Sequence, residues 1–131
     1  MTEPDIFDLI STIEPFSTSP EETRHSLAQR FVEREVSAGT ELIRRGETSS
    51  TLFVVVEGTF SIFVGGEAIA TVGKRGVFGE IGAVSGIPAT ATVRADSSAV
   101  VVSIGAKDLH AVLYHSPQLA EALLRSLAQY L

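Results

Sequence analysis

Two hydrophobic rhythms alternate along this chain. Near the start, Ile6, Phe7, Leu9, Ile10 and Ile13 fit a short helix. Pro15 is expected to end it, because the pyrrolidine ring disfavours helical backbone in the residue before it. Ser19-Pro20-Glu21-Glu22 then has the grammar of a helix opening: Ser19 as cap, Pro20 at the first helical position, Glu22 completing a capping box. Leu27, Ala28 and Phe31 give that helix a short apolar face. From about Phe31 to Ile104 the period shortens to that of strands, over 31–37, 41–45, 51–57, 59–64, 67–72, 91–95 and 98–104. The intervening turns carry Ala38-Gly39, Gly46-Glu47, Glu57-Gly58, Gly65-Gly66, Gly73 to Gly76 and Asp96-Ser97. Within 59–64, polar Thr59 and Ser61 alternate with Phe60 and Ile62, as in a half-buried antiparallel strand. After Gly105 the helical period returns, from Ala106 to Tyr114 and again beyond Ser116-Pro117. There Leu119, Leu123, Leu124, Leu127 and Leu131 form one stripe. Packing on the strands is the ordinary use of such a stripe; a moving lid or a dimer contact are the alternatives.

The fold expected is mainly β with flanking helices, an antiparallel, jelly-roll-like β-roll between an N-terminal helix and a C-terminal helical pair. It is read as one domain over 1–131, with helices at about 5–30, the roll at about 31–104 and the last helices at about 106–131. With 44% hydrophobic and 20% charged residues the chain has the composition of an ordinary globular domain. The apolar runs are too short to span a bilayer, and the acidic start Met1-Thr2-Glu3-Pro4-Asp5 is not that of a secretory signal. Together these predict a cytoplasmic protein without a membrane partner. The net charge of -6, with only Arg44-Arg45 and Lys74-Arg75 as adjacent basic pairs, argues against a nucleic-acid partner.

Catalytic chemistry finds little support. There is no Cys, and His25, His110 and His115 all fall in predicted helices outside the roll, which leaves no metal site. Ser85 lacks the spacing of a hydrolase elbow, and Thr48-Ser49-Ser50-Thr51 reads as a polar turn. No catalytic residues, no metal and no required cofactor are expected.

One stretch breaks the strand rhythm: Val77-Phe78-Gly79-Glu80-Ile81-Gly82-Ala83-Val84-Ser85-Gly86-Ile87-Pro88-Ala89-Thr90-Ala91-Thr92-Val93-Arg94. Its first half has room for one or two helical turns, whose leading amides favour an anion. Gly79 and Gly82 let a ligand oxygen approach the backbone. Read alone, a purely structural turn is the commoner use of such glycines, and Glu80 is as readily a carboxylate set near a helix N-terminus for its dipole.

Two spaced motifs change that balance. Leu42-Ile43-Arg44-Arg45-Gly46-Glu47 followed by Leu52-Phe53-Val54-Val55-Val56-Glu57-Gly58 resembles the strand, turn and strand of the cyclic-nucleotide-binding domains of kinase regulatory subunits, gated channels and catabolite-activator-type regulators. Phe78-Gly79-Glu80-Ile81-Gly82, with Gly86-Ile87-Pro88 and Ala91-Thr92-Val93-Arg94-Ala95, is similar to that family's phosphate-binding cassette. The resemblance implies a regulatory or sensory module, not an enzyme, with cAMP or cGMP as its ligand. It implies that Glu80 accepts from the ribose 2'-hydroxyl and that amides around Ile81, Gly82 and Thr90 hold the phosphate, with Gly79, Ala89 and Ala91 completing the ligand-binding residues. It implies also that Leu127, Tyr130 and Leu131 form or contact a lid over the base. The output would come from a fused effector domain, a protein partner or a homodimer through the last helix.

One departure stands against these matches. The family places an Arg after the Pro of the cassette, and this chain has Ala89. Removing a desolvated charge partner costs about 2–5 kcal/mol, which is roughly 30- to 3,000-fold in affinity. The cassette therefore predicts weakened affinity for cAMP and cGMP. Rescue by Arg75, a different and less charged ligand, or a degenerate domain that serves protein interaction are the readings left open.

Overall fold

The computed structural model describes every residue except Ser49, Tyr130 and Leu131, so the lid positions Tyr130 and Leu131 and the centre of the polar turn at 48–51 lie outside the described residues. In chain order the elements are α1 (Glu3–Ile10), a 3-10 turn (Phe16–Thr18), α2 (Glu21–Arg30), β1 (Val32–Val36), β2 (Glu41–Ile43), β3 (Thr51–Glu57) and β4 (Phe60–Val64). There follow β5 (Glu67–Val72), β6 (Val77–Phe78), α3 (Glu80–Ser85), β7 (Thr92–Ala95), β8 (Ala99–Gly105), α4 (Ala106–His115) and α5 (Pro117–Ala128). They form two compact units, residues 1–31 with 107–131, and residues 32–106.

In the helical unit the first helix stops sooner than Pro15 requires. Ser11 Oγ donates to the Phe7 carbonyl at 2.6 Å and Thr12 Oγ1 to that of Leu9 at 2.8 Å. These hydroxyls add a second bond to carbonyls that already accept from the Ser11 and Thr12 amides, and the chain turns there. Its start is a capping box the sequence reading did not single out, with Thr2 Oγ1 accepting from the Asp5 amide and the Asp5 carboxylate accepting from the Thr2 amide. That backbone hydrogen bond, ahead of the one from the Thr2 side chain, holds the Asp5 carboxyl below its ordinary value. Ser19 does not cap α2; Pro20 occupies the cap position and supplies no side-chain bond. The serine instead ends the 3-10 turn, its amide donating to the Phe16 carbonyl at 3.0 Å. Ser116, by contrast, caps α5 by accepting from the Leu119 amide, with Pro117 in the first turn as expected. Of the leucine stripe, Leu119 and Leu123 are buried and Leu124 is exposed.

The second unit is two four-stranded antiparallel sheets, in the orders β1-β8-β3-β6 and β2-β7-β4-β5. This is the β-roll the strand pattern predicts. The strand ranges agree with the sequence to within about two residues at either end, and β6 is the one strand it missed, being only Val77–Phe78. Two inward faces meet in one apolar core of Val36, Phe53, Val55, Phe78, Ala99 and Val101 with Ile43, Phe60, Val93 and Ala95. Leu52, Val54, Val102 and Ile104, which alternate with these on β3 and β8, are buried as well, so β3 reads as an unbroken apolar run and β8 as one interrupted only by Ser103. At the centre Phe78 stacks on Phe53 with centroids 5.0 Å apart and meets Phe60 of the other sheet at 5.1 Å.

Two substitutions gauge this core. Phe60→Ala is expected to cost about 3–5 kcal/mol, since Phe60 is wholly buried. Gly79→Ala is expected to cost at least about 1–2 kcal/mol, because Gly79 has φ of 84° and an added Cβ would run into the Thr51 carbonyl oxygen. Denaturant midpoints by circular dichroism at unchanged m-value measure both.

Candidate functional site

The cassette is built from the core outward. Phe78 is fixed among the aromatic rings, and the next residue must turn the chain without a side chain in the way. Gly79 does so in the left-handed region, with the Thr51 carbonyl and the Ile43 side chain against it. It also caps α3, whose first intrahelical bond is Ala83 N–H to the Gly79 carbonyl at 3.0 Å. The amides of Ile81 and Gly82 therefore stand ahead of the helical ladder, where an anion is favoured. Only Ala83 of this helix is buried. Its end is equally defined: Gly86, φ 73°, donates to the Gly82 carbonyl at 2.8 Å, and Ser85 Oγ donates to that of Ile81.

Glu80 opens α3 as a half-buried residue whose Oε2 is fully shielded from solvent. The other expected residues follow α3 in the loop before β7. Thr90 is exposed, and Ala89 and Ala91 are half-buried. Ala89 packs its methyl against the apolar core of the roll. Its backbone is clamped on both sides: its amide donates to the Glu47 carbonyl at 3.0 Å, and its carbonyl accepts from Gly46 at 2.8 Å. Thr92 Oγ1 accepts from the Arg45 amide at 3.0 Å, which extends the same clamp. The turn after β2 thus holds the exit of the cassette while Ile43, at the end of β2, lies against its entrance. Sequence reading had placed Arg45-Gly46-Glu47 in a strand and turn but not against Ala89; no local signal announces a bridge across more than forty positions.

Arg75 is exposed in the turn before β6, the one non-glycine at positive φ among the described residues, with its amide bonded to the Val55 carbonyl at 2.8 Å. Arg44 pairs with Glu41 at 3.2 Å, and the Arg94 guanidinium lies 4.2 Å from the centroid of the Phe63 ring. At position 89 itself the side chain is a methyl. His25, His110 and His115 lie on α2 and α4, and among the described residues no group of three or more His, Asp or Glu gathers as a metal site. Among them, too, no helix is long and apolar enough to cross a membrane.

Known proteins share this architecture. The chain is 25% identical over 77% of its length to a cAMP-dependent protein kinase type II regulatory subunit of Drosophila melanogaster, of which it covers 27%. It is 32% identical over 69% of its length to a cyclic nucleotide-gated potassium channel of Rhizobium etli, of which it covers 25%. It thus spans about a quarter of the length of these curated relatives. A solved structure of cAMP-bound PfPKA-R has the same fold, with a TM-score of 0.86 and 22% identity, over 98% of this chain and 45% of that one. The cyclic nucleotide-binding domain family model matches residues 33–116, which takes in all of β2 to β8, β1 from its second residue, α3 and the clamp on Ala89, and the chain belongs to that family.

Proposed function

We propose that this domain is a regulatory sensor of low affinity for cAMP and cGMP, in which backbone amides do most of the work of holding the phosphate. The observation that carries this reading is Ala89: a methyl on the apolar core at the one position where the cassette calls for a guanidinium. With Gly79 setting the turn, Ile81 and Gly82 present their amides at the start of α3, and Thr90 and Ala91 lie in the following loop. Glu80 is suited to the ribose hydroxyl, yet its carboxylate repels a phosphate, and position 89 holds a methyl where the cassette calls for a cation. Charge-assisted contacts are the strong ones in such sites, and this one is missing. Regulation follows if the bound ligand favours one arrangement of the domain over another. The reading places the protein among cytoplasmic signalling components, with a fused effector or a protein partner as its output.

A second reading has its own support. Because Ala89 is packed inward and clamped at both backbone groups, the loop is as well suited to a domain that binds no nucleotide and serves protein interaction. Calorimetry with cAMP and cGMP separates the two. The sensor predicts saturable binding weakened by roughly 30- to 3,000-fold from a micromolar reference, and Ala89→Arg recovers a large part of it. Low-micromolar binding by the unaltered chain refutes the role given to Ala89. Absence of heat from both the chain and the variant, with the fold intact, favours the interaction module.

A further inference from the structure

The two sheets of the roll end in four edge strands, and they are unequally protected. β6 has two residues and β2 three, with an ion pair between Glu41 and Arg44. β1 carries Glu33, Arg34 and Glu35 along its middle. β5 has six residues, Glu-Ala-Ile-Ala-Thr-Val, and its single charge is the first of them. It pairs with β4 on one side, and among the described residues no strand covers the other. An open row of backbone donors and acceptors is a template for a further strand, and charges or extreme shortness are the usual protection. A bulge is another, and β5 has one: Ile62 faces Ala70 and Phe63 faces Ala68, so Ile69 is the extra residue. Here the bulge leaves that isoleucine 60% exposed.

The charges at the ends of β5 say what fits it. Glu67 opens the strand, and Lys74 and Arg75 follow it, all three exposed. We propose that β5 pairs antiparallel with β5 of a second copy of this chain, across a two-fold axis at Ala70, with Ile69 the bulged residue beside it. Ala68 then lies opposite Thr71 of the other copy and Glu67 opposite Val72. Each Glu67 end meets the end that runs into Lys74 and Arg75 of its mate, twice by symmetry. A parallel pairing would set Glu67 against Glu67, which like-charge repulsion disfavours. Six residues extend only about 20 Å, a contact well short of a standard interface, and each copy carries a net charge of -6. The association is therefore weak and concentration-dependent. It does not rest on the ligand reading and holds with or without nucleotide.

Sedimentation velocity of the 131-residue chain from micromolar to millimolar concentration, joined to residue-resolved amide exchange, tests this. The expected result is a dimer that grows with concentration while amides within 68–71 exchange more slowly. Ile69→Lys, at an exposed position, abolishes it. Glu67→Lys weakens it about tenfold, and combining Glu67→Lys with Lys74→Glu and Arg75→Glu restores it. A chain that stays monomeric throughout overturns the proposal, and the exchange data on the unaltered chain give that answer even if a variant fails to fold. Dimerisation indifferent to Ile69→Lys and Glu67→Lys, or without protection at 68–71, overturns it equally.

Discussion

Phe78 sits between rings from opposite sheets, 5.0 Å from Phe53 and 5.1 Å from Phe60, and much of the roll follows from that placement. Aromatic pairs at such separations contribute beyond their buried area, about 0.5–1.5 kcal/mol each. They also fix where the chain leaves the core. The residue after Phe78 emerges beside the Thr51 carbonyl, in space that excludes a Cβ, and so is glycine in the left-handed region. The short helix that follows has six residues and could not form on its own, because nucleation is unfavourable. It exists because the core delivers its first residue at a set point and Gly86 closes it at the other end. Packing in the interior thereby becomes the position of backbone amides at the surface.

The loop after that helix is governed by a different balance. A guanidinium at position 89 would need solvent or an anion for company, whereas the alanine methyl needs neither and packs on the core. Apolar contact and two backbone hydrogen bonds, to Gly46 and Glu47, tie the loop to the roll. The alanine therefore favours local order in this loop.

The edges of the two sheets obey a third constraint, the need to satisfy or defend open backbone groups. Three strands meet it with charge or brevity. β5 meets it only in part, with one terminal carboxylate and a bulge that turns Ile69 outward. The same chemistry that holds the roll together is left open along that strand.

Most of this architecture was readable from residue order. Alternation in Phe60-Ser61-Ile62-Phe63, the unbroken Leu52-Phe53-Val54-Val55 and the glycine turns located the strands, since burial on one face or two writes its own period into a sequence. Ser116-Pro117 announced the last helix for a similar local reason. Helix ends depending on rival hydroxyls did not read so well: Ser19 has the composition of a cap and instead closes a turn, while Thr2 caps unnoticed. In the cassette, the residue types at 79–82 and 89–91 were legible as a motif. Their surroundings were not. That Ala89 rests on the core and is clamped by Gly46 and Glu47 depends on contacts between distant segments, and those arise from three-dimensional packing that no local window of residues encodes.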